Sequence, residues 1–227
     1  MNTLKPNAQR AKIAIGLIWL VLVFEIISLI SEYFQYVLLQ NVAGGKHVSM
    51  EMATANDNRQ QIIAIFYMIV YIISGITFIL WFRRAYFNLH TKKSNLSYTD
   101  GWAAGCWFVP VVNLYRPYQI MKELYRETDN LFSKKNYNYP KPLNSNILGL
   151  WWALFLINGF IGQFVFRYSL HADTVDQLIV STVASMLSSI VGIPLALFTV
   201  KVIKDYSNTE PLLFELTDDN CMEIPSS

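Results

Sequence analysis

Four apolar blocks, each long enough to cross a bilayer, decide what this chain can fold into. Residues 62–82, 147–166 and 178–200 carry no charged side chain, and residues 13–30 carry one, Glu25. At about 1.5 Å of rise per residue these blocks reach roughly 27 to 35 Å as helices, against a hydrocarbon core of about 30 Å. Composition agrees: 53% of the 227 residues are hydrophobic and 15% charged, where soluble domains carry about a quarter charged residues. The reading is an all-α, polytopic membrane helix bundle with four spans. The first block is too long for the apolar core of a signal peptide and lacks a clear cleavage site, so it is expected to be a retained helix.

Basic residues orient the bundle. Of the 18 Lys and Arg, 15 fall before span one, between spans two and three, or just after span four; Lys46, Arg59 and Arg167 fall on the other side. The positive-inside rule therefore places both termini of a multi-pass protein in the cytoplasm. Residues 1–12 form the cytoplasmic N-terminus and residues 13–204 the membrane domain. Residues 205–227, which carry six acids and no base, form an acidic cytoplasmic tail. That tail either contacts the basic segment between spans two and three or stays solvated.

A fifth apolar stretch, residues 102–114, is too short to cross comfortably. As a span it would also carry the basic segment from Arg116 to Lys141 to the wrong side. A re-entrant or interfacial element is preferred and an extra span is the alternative, with Pro110 disturbing the helix. An amphipathic cytoplasmic helix is expected over residues 117–132. Tyr118, Met121, Leu124, Tyr125, Thr128, Leu131 and Phe132 form one face, opposite Lys122, Glu123, Arg126, Glu127, Asp129 and Asn130. Its apolar face either packs under the bundle or docks on lipid or a partner. Residues 133–144 are expected as a polar linker and residues 40–61 as an irregular external loop.

Glu25 stands roughly 18 Å into span one, beyond the midplane, where an ionised carboxylate is costly. Protonation or a hydrogen-bonding partner would reduce that cost. Ser28 and Glu32 continue a polar strip, and Asn158, Gln163, Ser181, Ser185, Ser188 and Ser189 are candidate partners on spans three and four. Glu25 is thus either a proton- or cation-binding group or helix glue. Gly192 and Pro194 are candidates for a kink in span four. No metal spacing, P-loop, dinucleotide fingerprint or nucleophile elbow is present, so neither a cofactor nor catalysis is expected. Cys106 and Cys221 are expected as free thiols.

The run Leu80-Trp-Phe-Arg-Arg-Ala-Tyr-Phe-Asn-Leu89, with Gly101-Trp-Ala-Ala-Gly-Cys-Trp-Phe-Val-Pro-Val-Val-Asn-Leu-Tyr-Arg-Pro-Tyr118, resembles the signature of a bacterial membrane family known as domain of unknown function 4328. The resemblance implies an integral bacterial membrane protein with several helices, expected in the inner (cytoplasmic) membrane, and supplies no catalytic residue, ligand or mechanism. The residue types in the signature suit either a structural role or a lipid or ligand site formed by Arg83, Arg84, Asn88, Asn113 and Arg116. The expected role is non-enzymatic: a scaffold, assembly or regulatory protein contacting membrane lipids and a membrane-protein partner or a second copy of itself. The net charge of +2 gives no reason to expect nucleic acid. The alternative role is a small-solute or ion transporter using Glu25.

Overall fold

The computed structural model describes residues 4–134 and 143–216. Four long helices carry the apolar blocks: α1 (Ala8–Ala43), α2 (Met50–Lys92), α5 (Asn146–Ser169) and α6 (Val175–Thr209). All four are long and apolar enough to cross a membrane. Between α2 and α5 come α3 (Asp100–Gly105), a 3₁₀ turn at Val112–Leu114 and α4 (Arg116–Lys134), and α7 (Leu212–Glu215) follows α6. No strand occurs among the described residues.

The helices outrun their apolar blocks, which corrects the expected loop over residues 40–61. Only six residues separate α1 from α2. Gly45, at φ +73°, adopts the left-handed conformation that glycine takes at little cost as α1 ends. Ser49 Oγ accepts from the Met52 amide at the start of α2. Asn56, Arg59 and Gln60 read as loop residues because they are polar, yet they lie in α2, where Asn56 is buried and Arg59 and Gln60 reach α1. Arg59 Nε donates to Ser31 Oγ (3.0 Å) and Gln60 Nε2 to the Ser31 carbonyl (3.1 Å).

The chain divides into two compact units. One comprises Gly16–Gly75 and Leu150–Val200. Its large apolar side chains point outward, as in Phe66 (56% exposed), Ile72 and Phe160, while Glu25, Ser31, Ser181, Thr182 and Ser189 are buried. That inversion is what a bilayer selects. Lipid solvates the large side chains, and small or polar residues let helices approach and hydrogen-bond.

The other unit comprises Met1–Ile15, Ile76–Gly149 and Lys201–Ser227. Its core is aromatic: Trp81, Phe82, Tyr86, Tyr125, Phe132 and Tyr206 are fully buried. The α4 helix appears where its periodicity predicts, and Ile120, Met121, Leu124 and Tyr125 on its apolar face are fully buried. Tyr125 Oη donates to the Val202 carbonyl at 2.8 Å. The face is consumed by packing, so the lipid-docking reading of this helix falls. Glu123 and Glu127, expected on the solvent side, are buried too.

The fifth apolar stretch dips and returns. Asp100 pairs with Arg83 (3.4 Å). Trp107 lies edge-on to Phe78, with centroids 5.6 Å apart, about 7.5 Å further along α2. Arg116 Nη1 then comes back to donate to Tyr98 Oη at 2.9 Å. The helical part of the dip has six residues, too few to cross a bilayer as a helix, so the stretch is a hairpin of the re-entrant or interfacial kind. Its apex exposes Phe108 (75%) and Val111 (69%). Val111, at φ +68°, holds a conformation that β-branched residues rarely adopt.

Within the described residues the acidic tail runs to Leu216. Asp205 pairs with Lys201 at 2.9 Å, and Glu210 is buried between Asn7 and Asn88. Asp218, Asp219, Glu223, Cys221 and most of the linker at 133–144 lie outside the described residues.

Candidate functional site

Glu25 sits on the inner face of α1, 5% exposed. Tyr67 Oη on α2 donates to its Oε1 at 2.7 Å. On α6, Gly192 makes room: a Cβ there would lie 2.5 Å from the Glu25 carboxyl carbon and 2.9 Å from Oε2. Real Cβ atoms do not approach so closely, so the carboxyl occupies space that any other residue at 192 would contest.

Two helical turns further along α1, Glu32 presents its carboxylate on the same face, since a seven-residue step returns close to the same direction. Ser189 Oγ donates to Glu32 Oε2 at 3.3 Å. Glu25 and Glu32 line one cavity of about 270 Å³ with Ser28, Gln60, Tyr67, Gly162, Ser185, Ser188 and Ser189. A second cavity, of about 400 Å³, shares Glu32, Gln60, Ala64 and Ser185 with the first. It extends the polar lining to Gln35, Gln61, Ser169, Ser181 and Thr182. Carboxylates, hydroxyls and amides thus continue from Glu25 toward the α1–α2 and α5–α6 connections. The volume admits several waters or a small polar solute.

Among the described residues neither carboxylate has an ion-pair partner. Arg59, the cation nearest in sequence to Gln60, is turned to Ser31 and to Asn56 Oδ1 (2.6 Å). No three His, Cys, Asp or Glu side chains cluster as metal ligands among the described residues. The donor set of two carboxylates with hydroxyl and amide oxygens suits a hard monovalent cation, a proton or a protonated amine.

The second sequence candidate comes apart. Arg83 and Arg84 line one crevice with Lys5 and Arg10. Asn88 is fully buried and structural: Nδ2 donates to the Lys5 carbonyl (2.8 Å) and Glu210 Oε1 (2.7 Å), and Oδ1 accepts from the Lys5 amide. Arg116, on the returning arm of the hairpin, is held by Tyr98 Oη and Gln119 Oε1, with its guanidinium stacked over the Tyr98 ring. Asn113 lies in the 3₁₀ turn. Neither Asn113 nor Arg116 lines the Arg83–Arg84 crevice.

A family model described as Domain of unknown function (DUF4328) matches residues 45–208. The chain belongs to this family. No curated protein and no solved structure matches it. In this DUF4328 member, Tyr67, Ser189, Gly192 and the whole re-entrant hairpin fall inside the matched segment, whereas Glu25 and Glu32 precede it.

Of the hydrogen-bond partners of Glu25, Ser189 is among those expected and Tyr67 is not. Tyr67 is absent from the sequence reading because a tyrosine inside an apolar span looks like any other aromatic. Of the expected partners, Ser189 hydrogen-bonds Glu25 as well as Glu32, whereas Ser188 donates to Asn158 (3.1 Å) and Ser181 bonds Ser169 (2.6 Å).

Proposed function

We propose that this DUF4328 protein binds a small cation, either a monovalent ion or a protonated amine, between Glu25 and Glu32 and carries it across the membrane. The observation behind this reading is the second carboxylate. A single intramembrane acid makes a poor translocation path, whereas two acids on one polar cavity, served by Tyr67 and Ser189, can hold a positive charge that lipid alone rejects. A scaffolding role needs neither the cavity nor the space left at Gly192. The cavity chain that begins at Glu25 and widens past Gln35 supports entry from the side of the α1–α2 connection.

The mechanism is electrostatic. An incoming cation replaces hydration with carboxylate, hydroxyl and amide oxygens. A proton bound at Glu25 or Glu32 in its absence keeps the empty site from holding two bare charges.

Flux into vesicles loaded with a pH-sensitive or cation-sensitive dye tests the proposal. The purified protein is expected to conduct. Glu25→Gln is expected to reduce flux about tenfold or more, the loss when a charge-assisted contact worth about 1.4 kcal/mol or more is removed. Equal flux from wild type and Glu25→Gln, with both equally folded, would overturn it.

A further inference from the structure

Four cations converge on a crevice of about 270 Å³ that the cation-transport reading does not use. Lys5, Arg10, Arg83 and Arg84 line it, against a single acid, Asp100, with Leu80 and Phe87 as apolar walls. The formal charge is therefore +3. Asp100 is engaged by Arg83 at 3.4 Å. Arg10 Nη1 donates to the Leu80 carbonyl (3.1 Å), which leaves the other donors of that guanidinium unspent. Lys5 Nζ stands 4.7 Å over the Phe87 ring. Arg84 makes no hydrogen bond or ion pair among the described residues.

Position along the chain supplies the second half of the argument. Arg83 and Arg84 directly follow the uncharged run 62–82, and Arg10 lies three residues before the first apolar block. Basic side chains at that boundary meet lipid phosphates. Leu80, 45% exposed, offers an apolar wall beside the cations, suited to a ligand with a charged head and a hydrocarbon body.

We infer that this crevice binds the phosphate group of an anionic phospholipid, with Arg84 and Lys5 as the principal contacts. A phosphodiester presents oxygens that guanidinium and ammonium groups pair with readily, and the net negative headgroup answers the excess positive charge, which the nearby Glu210 offsets only in part at Arg84. A zwitterionic lipid brings its own cation into the same crevice and is rejected.

Native mass spectrometry of the full chain, released from micelles doped with equal amounts of phosphatidylglycerol and phosphatidylcholine, reads the preference directly. Wild type is expected to retain phosphatidylglycerol about tenfold over phosphatidylcholine, as one or two charge-assisted contacts allow. Arg84→Gln is expected to lose most of that preference, and Arg84→Lys to retain more of it. Lys5→Gln, at an exposed side chain, gives a second reading should Arg84→Gln fold poorly. Unchanged selectivity in both glutamine variants would overturn the inference. So would displacement of the lipid by millimolar inorganic phosphate, which would mark the crevice as a site for soluble anions.

Discussion

Gly192 on α6 holds open the space that the Glu25 carboxyl fills, since a Cβ at 192 would sit 2.5 Å from the carboxyl carbon. Gly192→Ala therefore sets two effects against each other. Alanine gains about 0.5–1 kcal/mol of helix propensity, while the displaced carboxyl gives up the Tyr67 hydrogen bond, worth about 0.6–1.7 kcal/mol between membrane helices, and is pushed off its rotamer at a cost of about 0.5–1.5 kcal/mol. The loss wins, by about 1 kcal/mol. Because the contacted atoms end a flexible side chain, the helix survives and Glu25 swings away from Tyr67. Unfolding in mild detergent is expected to show Gly192→Ala destabilised by about 1 kcal/mol, and most of that cost is expected to vanish when Glu25→Ala is added. Equal costs in the two backgrounds would refute the contact.

Tyr67→Phe removes one hydroxyl and leaves the ring. Hydrogen bonds between membrane helices are worth about 0.6 kcal/mol on average and up to about 1.7. The expected result is a stability loss within that range and a larger fractional loss of cation flux, because the donor orients the Glu25 carboxylate. A flux loss no greater than in a control at an exposed tyrosine that lines neither cavity, Tyr33→Phe, would remove Tyr67 from the site.

Glu127, outside the spans, carries the pH dependence. Its hydrogen bond from Lys93 comes first, helped by Arg126 and Asn130, and holds the carboxyl down at about 2 from an ordinary 4.5. The folded protein thus binds this proton more weakly than the unfolded chain. The stabilisation is fully present above about pH 4.5 and is lost as pH falls toward about 2. Thermal unfolding across that window should drop more steeply for wild type than for Glu127→Gln. Parallel curves would show that the Lys93 contact contributes nothing.

The re-entrant hairpin predicts a labelling pattern. In a background lacking Cys106 and Cys221, cysteines at Ser94 and Lys122 flank the dip and should react with an impermeant thiol reagent from the same membrane face. Reaction from opposite faces would make the stretch a span.

The four spans were legible because an uncharged run of about 20 residues has few other stable uses. That residues 102–114 form no fifth helix of spanning length was legible as well, from the shortness of the stretch. Glu25 stood out as the lone charge in a span, and Glu32 followed from helical periodicity. Tyr67 was hidden because its hydroxyl carries no signal until a neighbouring helix brings a carboxylate to it. Periodicity alone also misassigned Glu123 and Glu127. Their partners, Tyr86 Oη on α2 (2.6 Å from Glu123 Oε2) and Lys93 just past the end of α2, are supplied by the fold. Lys5 and Arg83 meet only through the fold, being far apart along the chain. Asn56 and Arg59 looked like loop residues because polarity was read as exposure.

The central claim, a cation held between Glu25 and Glu32, is tested most directly by ligand-dependent unfolding in lipid nanodiscs. Monovalent metal ions and small primary amines are titrated against wild type and the Glu25→Gln/Glu32→Gln double variant. A ligand at about a hundred times its Kd stabilises a folded protein by about 2.7 kcal/mol. At least one cation is expected to raise the unfolding temperature of wild type, with no such rise in the double variant. Stabilisation of equal size in both proteins, or none in wild type by any cation of either class, would contradict the account.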